Sequence, residues 1–376
     1  MLYRPVSLQI MVSSSNVLKC LTTTEHLMIF VTKLRALSTL LSNTYRQDTL
    51  LHSGIARTHK TDLQDKEHIV TPAPTPFDKL TPIHPDRRIT LETGPAPLAT
   101  RLIDIFVPLG FGQRALVVAP PQAGKTTILR QVAAAVLKNY PEALLFLCLV
   151  DERPEEVTEW RMEVQGPMVK LYASSFDQQL ARHGRIVEQA LNDAKRQVER
   201  GKDVVILLDS LTRLARAHNL SSDMWSGPRN ARGGYGSRTL SGGIDARALE
   251  VGRRVFGAAR TLEEGGSLTI VASCLVETGS RLDEVVYEEF KGTGNLEMRL
   301  SRELADRRIF PAIDLAASST RQEERLLSPE ELRAMAILRR KLADLPRREI
   351  TEQVIHLLEK TPSNARLVEA VLRQEV

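Results

Sequence analysis

Residues 115–126 read ALVVAPPQAGKT, an apolar run that passes directly into a loop ending in glycine, lysine and threonine. The loop from Ala119 to Thr126 has the spacing of the phosphate-binding Walker A pattern, although Ala119 stands where that pattern begins with glycine. A strand before such a loop and a helix after it aim backbone N–H groups at a phosphate. The stretch therefore predicts an α/β nucleotide-binding domain.

Four apolar runs have the length and the Val, Ile and Leu content of buried strands: 115–119, 144–150, 204–208 and 268–273. Helical stretches are predicted between them at 126–138, ending before Pro141, and at about 181–199. Short apolar runs that alternate with helices are typical of a mostly parallel sheet covered by helices. The pattern therefore predicts an α/β fold.

The composition is that of a globular protein: of 376 residues, 42% are hydrophobic and 26% charged. The longest apolar stretches are about six to eight residues, far short of the roughly 20 that cross a bilayer, so we expect no membrane partner. Three widely separated cysteines indicate neither a disulfide framework nor a zinc site and favour a cytoplasmic location. Cys148 and Cys274 lie in apolar runs and are predicted to be buried.

The organisation of the chain changes near residues 70–80, where TPAPTP (71–76) is typical of an extended linker. Residues 1–75 show no clear strand or helix period, and we expect a poorly defined N-terminal segment there. The α/β domain is predicted over 76–325. SPEE (328–331) has the form of a capping box, which predicts a helical C-terminal extension over 326–376.

Two carboxylates at strand ends are candidates for chemistry beside the loop. Asp209 ends the run VVILLD, where a Walker B aspartate holds magnesium, and Glu152 follows another run, where it could polarise an attacking water. Lys125 would reach the β and γ phosphates, and the Thr126 hydroxyl would ligate Mg²⁺. The acidic run DERPEE (151–156) also permits an alternative for Glu152, a charged cap on a solvent-facing turn.

Five segments carry a resemblance to a known family: APPQAGKT (119–126), DERPEEVT (151–158), DSLTRLAR (209–216), FGAAR (256–260) and YEEFKGTGN (287–295). They resemble the bacterial transcription termination factor Rho, over about residues 77–370. The resemblance implies a RecA-like P-loop ATPase core in a homohexamer that uses ATP and Mg²⁺, translocates 5′ to 3′ on nascent RNA and acts on RNA polymerase. The net charge of +5 also favours a polyanionic partner.

The resemblance implies roles for individual residues. Glu152 corresponds to the catalytic glutamate, beside Lys125 and Asp209. Arg321 matches an arginine finger that reaches a neighbouring subunit's ATP, and Arg308 matches a second arginine of that interface. A finger supplied by a neighbour implies that hydrolysis needs the assembled ring.

Nucleotide contacts are implied elsewhere as well. Phe310 matches the ring on which adenine stacks, although its position before Pro311 alone favours a core residue. Arg153 matches a nucleotide-site arginine. The remaining implied contacts flank or form the loop: Gly110, Phe111, Gly112, Gln113, Arg114, Ala115, Gln122, Ala123, Gly124, Lys125, Thr126 and Thr127.

Two loops of the family grip RNA in the central pore of the ring. One corresponds to 236–245, with Arg238 at its basic position, and the other to 278–283, with Arg281 in that place. Glycine-rich backbone with a cation suits contact with phosphate and sugar rather than with base edges. Without the resemblance, a solvated surface loop is the simpler interpretation of each.

The chain departs from the family pattern in three places. Gln122 stands where the family commonly has lysine, which predicts weaker nucleotide binding or slower hydrolysis. The first pore loop is enlarged at 221–235, where arginines alternate with Trp225 and Tyr235, so it either adds RNA-binding surface or lies outside the pore. Residues 1–70 lack the aromatic and basic alternation of the family's cold-shock-type RNA-binding barrel.

Two alternatives stay open from the sequence. One is another hexameric ring ATPase, such as a rotary ATP synthase or secretion-type subunit, against which the segments 256–260 and 287–295 argue. The other is a non-motor regulator that binds ATP and either RNA polymerase or RNA, which Gln122 and the missing barrel favour.

Overall fold

The computed structural model describes residues 75–225, 239–240 and 244–374, with side chains described outside 221–247. Its strands are β1 (Pro82–Ile83), β2 (Arg88–Ile89), β3 (Leu109–Gly110), β4 (Arg114–Ala119), β5 (Leu144–Glu152), β6 (Val169–Ser175), β7 (Asp203–Asp209), β8 (Thr239–Leu240), β9 (Ile244–Asp245), β10 (Arg260–Leu262), β11 (Ser267–Leu275), β12 (Leu296–Arg299) and β13 (Ser319–Thr320). Its helices are α1 (Leu98–Phe106), α2 (Lys125–Asn139), α3 (Pro154–Glu163), α4 (Leu180–Val198), α5 (Leu211–Trp225), α6 (Glu250–Gly257), α7 (Arg281–Lys291), α8 (Arg302–Asp306), α9 (Pro329–Leu342), α10 (Arg347–Lys360) and α11 (Asn364–Leu372).

The main sheet follows the order β13-β12-β4-β11-β7-β5-β6, with β10 and then β1 added beside the start of β11. The strands from β12 to β6 are parallel to one another. All four predicted strands are confirmed, as β4, β5, β7 and β11, each extended by one to three residues. These strands could be predicted from the sequence because strands buried on both faces of a parallel sheet are continuous apolar runs.

Helices cover both faces of this sheet and enclose two apolar cores. One core joins α1, α2 and the C-terminal helices to one face, and the other joins α4, α5 and α7 to the opposite face. The two predicted helices of the α/β region are confirmed as α2 and α4, and α2 ends two residues before Pro141 as its sequence requires. Cys148 and Cys274 are free and buried, as predicted.

The C-terminal helices are built onto the domain through α1. The predicted capping box begins α9: Ser328 Oγ accepts from the Glu331 N–H at 3.2 Å, and Glu331 Oε2 accepts from the Ser328 N–H at 2.8 Å. Arg101 of α1 is completely buried, and its guanidinium donates to the carbonyls of Leu358 at 2.7 Å and Thr361 at 2.8 Å. The described helices include none long and apolar enough to cross a membrane.

Candidate active site

The phosphate loop connects β4 to α2 at the centre of the sheet. Gly124 is the residue before α2 and has φ 88°, a left-handed conformation that glycine adopts without steric cost. Gln122 has φ 64° and an exposed side chain. Lys125 and Thr126 begin the helix, so the free N–H groups of its first turn face the loop. This is the geometry that binds a phosphate.

Asp209 joins the loop to the neighbouring strands. It ends β7, is 2% exposed, and its Oδ1 accepts hydrogen bonds from Lys125 Nζ and from Ser273 Oγ, the latter at 2.7 Å. The ammonium, the carboxylate and the Thr126 hydroxyl that follows Lys125 are therefore gathered at the start of α2. One carboxylate and one hydroxyl fit Mg²⁺, which is usually bound by few protein oxygens together with substrate phosphates.

Glu152 lies at the end of β5, the strand beside β7. It is 2% exposed, so the alternative of a charged cap on a solvent-facing turn is wrong. Within the part of the chain that the structure describes, neither carboxylate oxygen has a hydrogen-bond partner, and the nearest cation is the Arg213 guanidinium, whose Nη2 lies 3.4 Å from Oε2. Burial, followed by the negative charge of Asp209, raises the pKa of Glu152 to about 8. A buried carboxylate whose pKa is raised in this way is suited to accept a proton near neutral pH.

A cavity of about 420 Å³ opens beside the loop, within the size range of small-molecule sites. It is mainly apolar and is lined by Pro97, Leu98, Ala99, Ala123, Gly124, Thr127, Ile128, Gln131, Phe310, Pro311 and Ala312. Phe310 is 48% exposed, so the alternative of a core residue is wrong. Its ring stands next to Gly124, where it is placed to stack on a flat aromatic ligand.

The predicted residues 110–115 lie far from this loop. They occupy the start of β4 and the turn before it, about 17 Å along the strand from Ala119. Gly112, with φ 87°, packs so closely on Thr261 that a Cβ there would lie 2.1 Å from its hydroxyl. None of residues 110–115 lines the cavity beside the loop.

Arg321 lies at the same distant end of the sheet. Its N–H donates to the Asn295 carbonyl at 2.8 Å, and Asn295 in turn pairs with Arg114. Burial, followed by the positive charges of Arg260 and Arg321, lowers the pKa of Arg114. Three guanidinium groups are thus close together at this end, beyond reach of the subunit's own loop.

The other predicted residues are more scattered. Arg308 is exposed on the segment that leads to Phe310, at the opposite end of β12 from Arg321. Arg153 is exposed at the start of α3, and Arg281 is exposed at the start of α7. Arg238, most of the enlarged loop at 221–235 and nearly all of the segment 1–75 lie outside the described residues.

Three residues that contribute to the site were not predicted from the sequence. Arg213 donates to the Asp151 carbonyl and approaches Glu152, Ser273 bonds to Asp209, and Leu98 forms part of the cavity wall. Arg213 lies four residues after Asp209 in the segment DSLTRLAR, and this segment was a usable signal. Ser273 and Leu98 lie in distant parts of the chain, and no sequence signal pointed to them.

Comparison with known proteins adds to this geometry. Residues 99–320 match the model of the ATP synthase alpha/beta family, nucleotide-binding domain. The transcription termination factor Rho of Streptosporangium roseum is 52% identical over 295 residues, which are 78% of this chain and 73% of that protein. The chain belongs to the Rho family. Rho of Rhodopirellula baltica is 49% identical over 300 residues, 80% of this chain and 56% of the relative.

Solved structures of other ATPases share the fold of this Rho-family chain. A prototypical ATPase from the type III secretion system of pathogenic bacteria superposes with a TM-score of 0.63 at 22% identity, covering 79% of this chain and 87% of that one. An ATP synthase subunit from Nanoarcheaum equitans gives 0.61 at 17% identity, covering 78% of each. These likenesses concern the fold alone, whereas the high identity to Rho decides against a secretion or synthase subunit. The chain spans only 56% and 40% of the Rho proteins of R. baltica and Micrococcus luteus.

Proposed function

We propose that this Rho-family chain is an RNA-dependent ATPase that assembles as a ring, translocates 5′ to 3′ on nascent RNA and releases transcripts from RNA polymerase. The observation that carries the proposal is a series of contacts that runs from the loop of Arg281 through α5 to the Glu152 carboxylate. RNA contact and ATP hydrolysis would be coupled through it. The family membership supports the choice of RNA as the ligand.

Hydrolysis is assigned to residues around the loop. The loop amides and Lys125 bind the phosphates, and Glu152 accepts a proton from the attacking water. Thr126 and Asp209 would hold Mg²⁺, which when bound neutralises charge on the phosphates. The described residues contain no cluster of three His, Cys, Asp or Glu side chains that could hold a metal alone, so this ion would depend on the nucleotide.

The connection from Arg281 runs through α5. Thr278 Oγ1 donates to Asp283 Oδ2 at 2.6 Å, which fixes the loop before Arg281 onto α7. Asp283 is completely buried and is held by the Arg216 guanidinium, with Nε at 2.8 Å from Oδ1. Arg216 and Arg213 are three residues apart on α5 and share a helix face. A ligand that moves the Arg281 loop would therefore move the cation beside Glu152.

The arginine cluster supports an active site shared between subunits. Arg321, with Arg114 and Arg260 beside it, is a group of cations that favours an anionic partner. Since their own phosphate loop lies at the other end of β4, the phosphates of a neighbouring subunit's nucleotide are the proposed partner. A guanidinium placed there would stabilise charge that develops during phosphoryl transfer.

The coupling is tested by ATPase assays with and without poly(C). We expect RNA to stimulate the unsubstituted chain, and Asp283→Asn to lose that stimulation while keeping its affinity for ATP. Turnover that is equally fast without RNA would support a rotary-type ATPase instead. Nucleotide binding without turnover under either condition would support the non-motor regulator.

The shared site is tested by mixing two inactive variants. Arg321→Ala lacks the finger and Glu152→Gln lacks the base, so each alone should have almost no turnover while still binding nucleotide. Rings mixed from both contain interfaces at which an intact Glu152 faces an intact Arg321, and these should recover activity. If the mixture stays inactive, or Arg321→Ala alone is fully active, the shared site is wrong.

A further inference from the structure

Strand β5 has an irregular register just before Glu152. Leu149 pairs with Ala173 of β6 and Glu152 pairs with Ser175. Between these two pairs β5 therefore advances by three residues while β6 advances by two. The extra residue is accommodated at Asp151, whose φ is 57°, a left-handed conformation uncommon for a residue with a side chain. Such bulges change the direction in which the next side chains point. Here the next side chain is the buried Glu152 carboxylate.

Two residues hold this bulge from the side of β6 and α4. The Asp151 N–H donates to Ser174 Oγ at 3.3 Å, and Ser174 Oγ lies 2.8 Å from His183 Nδ1. The other ring nitrogen, Nε2, lies 3.8 Å from the Asp151 carboxylate. Ser174 and His183, the Asp151 clamp, therefore engage both the backbone and the side chain of the same residue.

The protons of the clamp can be assigned from its surroundings. His183 is completely buried, and burial lowers its pKa against the opposing charge of Asp151, so the ring is neutral. Its one N–H belongs on Nε2, because a lone pair there would face a carboxylate. Nδ1 then accepts from the Ser174 hydroxyl, whose oxygen remains free to accept from the Asp151 N–H. The Ser174 hydroxyl thus links Asp151 to His183, while Nε2 forms no hydrogen bond within the described residues and faces the Asp151 carboxylate at 3.8 Å.

We propose that His183 and Ser174 are positioning residues for ATP hydrolysis, which keep Asp151 in its left-handed conformation and thereby keep the Glu152 carboxylate at the site. The proposal rests on the proposed catalytic role of Glu152. Neither clamp residue lines the nucleotide cavity, and β7 and β11 separate β5 from the strand that carries the phosphate loop. Loss of the clamp should therefore lower turnover and leave nucleotide affinity unchanged.

The test uses the full chain with ATP and saturating poly(C). His183→Phe keeps an aromatic ring but removes both nitrogens, Ser174→Ala removes the hydroxyl, and His183→Asn restores an amide that can accept from Ser174. Thr351→Val is the matched control, because Thr351 is also completely buried and donates one hydrogen bond, to the Ile313 carbonyl at 2.8 Å, and contacts neither clamp residue nor Asp151 through it. Four quantities are measured: kcat, the Kd for a fluorescent ADP analogue, the unfolding midpoint and hydrogen exchange in peptides that contain Asp151.

We expect His183→Phe and Ser174→Ala to lower kcat by about tenfold to a hundredfold, the range for a misplaced catalytic group, with Kd within about twofold of the unsubstituted chain. Exchange at Asp151 should accelerate, and His183→Asn should recover a substantial part of kcat. Thr351→Val should lower the unfolding midpoint without changing kcat.

Two results would contradict the proposed positioning role of His183 and Ser174. One is a normal kcat in both His183→Phe and Ser174→Ala while Glu152→Gln is inactive, which would leave the proposed function standing. The other is a parallel loss of kcat, Kd and stability that His183→Asn does not relieve, since that would be a purely structural role. If His183→Phe does not fold, Ser174→Ala alone decides. Full turnover in Glu152→Gln would instead refute the proposed function itself.

Discussion

Replacement of Glu152 by glutamine should stabilise the protein relative to the unsubstituted chain, and this gain in unfolding free energy should grow as the pH rises. Burial and the charge of Asp209 raise the pKa of this carboxyl from its ordinary 4.5 to about 8. Between those values the folded protein retains a proton that the unfolded chain has lost. The unfolding free energy therefore falls as the pH increases through this window, and the loss is complete above about pH 8.

The size of the effect follows from the width of that window. From 4.5 to about 8, at roughly 1.36 kcal/mol per pH unit, ionised Glu152 costs the folded state up to about 5 kcal/mol. At pH 7 the same reasoning gives about 3 kcal/mol. Glutamine has the shape of the protonated acid and does not ionise, so it avoids this cost. The attraction of Arg213, 3.4 Å away, is already included in this raised pKa and is not subtracted again.

The assay is urea unfolding of the nucleotide-free protein at about pH 5, 7 and 9, with the unsubstituted chain, Glu152→Gln and Glu155→Gln compared at each pH. Glu155 is an exposed carboxylate on the first turn of α3 and serves as the control. Titrating groups that do not interact with Glu152 are common to the variants and cancel. We expect Glu152→Gln to gain stability relative to the unsubstituted chain with each increase in pH. A difference that is the same at all three pH values would refute the reasoning.

Three further predictions concern the nucleotide. Gln122→Lys should tighten ATP binding by about threefold to tenfold, because it adds a cation to the exposed part of the phosphate loop, and an unchanged Kd and turnover would show that Gln122 is not limiting. Phe310→Ala should weaken nucleotide binding about tenfold or more, since aromatic stacking on a base contributes ~1–3 kcal/mol, whereas an equal Kd would place the base elsewhere. The kcat/KM for ATP should rise with pH and level off near pH 8, where Glu152 of the free enzyme becomes ionised, and a flat profile from about pH 6 to 9 would exclude it as the base.

The parts of this fold that could be predicted are those determined by local sequence. The strands β4, β7 and β11 are continuous apolar runs because both faces of the sheet are covered. The capping box at Ser328 involves residues three positions apart, so its geometry follows from the backbone of a single helical turn. Neither depends on what the rest of the chain does.

The parts that could not be predicted depend on how distant segments meet. The sequence placed Glu152 near the end of a strand but could not distinguish a buried base from an exposed cap, because the bulge at Asp151 arises from pairing with β6. The exposed position of Phe310 and the separation of Arg308 from Arg321 likewise follow from tertiary contacts. Motif resemblance supplied candidate roles for these residues, and their geometry came from the structure.

The buried Arg101 connects the C-terminal helices to the helix that forms one wall of the nucleotide pocket. Leu98, one turn earlier on α1, forms the pocket wall, while the Arg101 guanidinium is satisfied by the carbonyls of Leu358 and Thr361. A chain that stopped before α10 would take both carbonyls from this guanidinium and leave Glu92, at 3.5 Å, as its charged partner. Because linkage is reciprocal, a bound nucleotide that steadies α1 would also protect these terminal helices from unfolding, although they do not touch the ligand. The local unfolding of the C-terminal helices would thus depend on whether nucleotide is bound in the pocket.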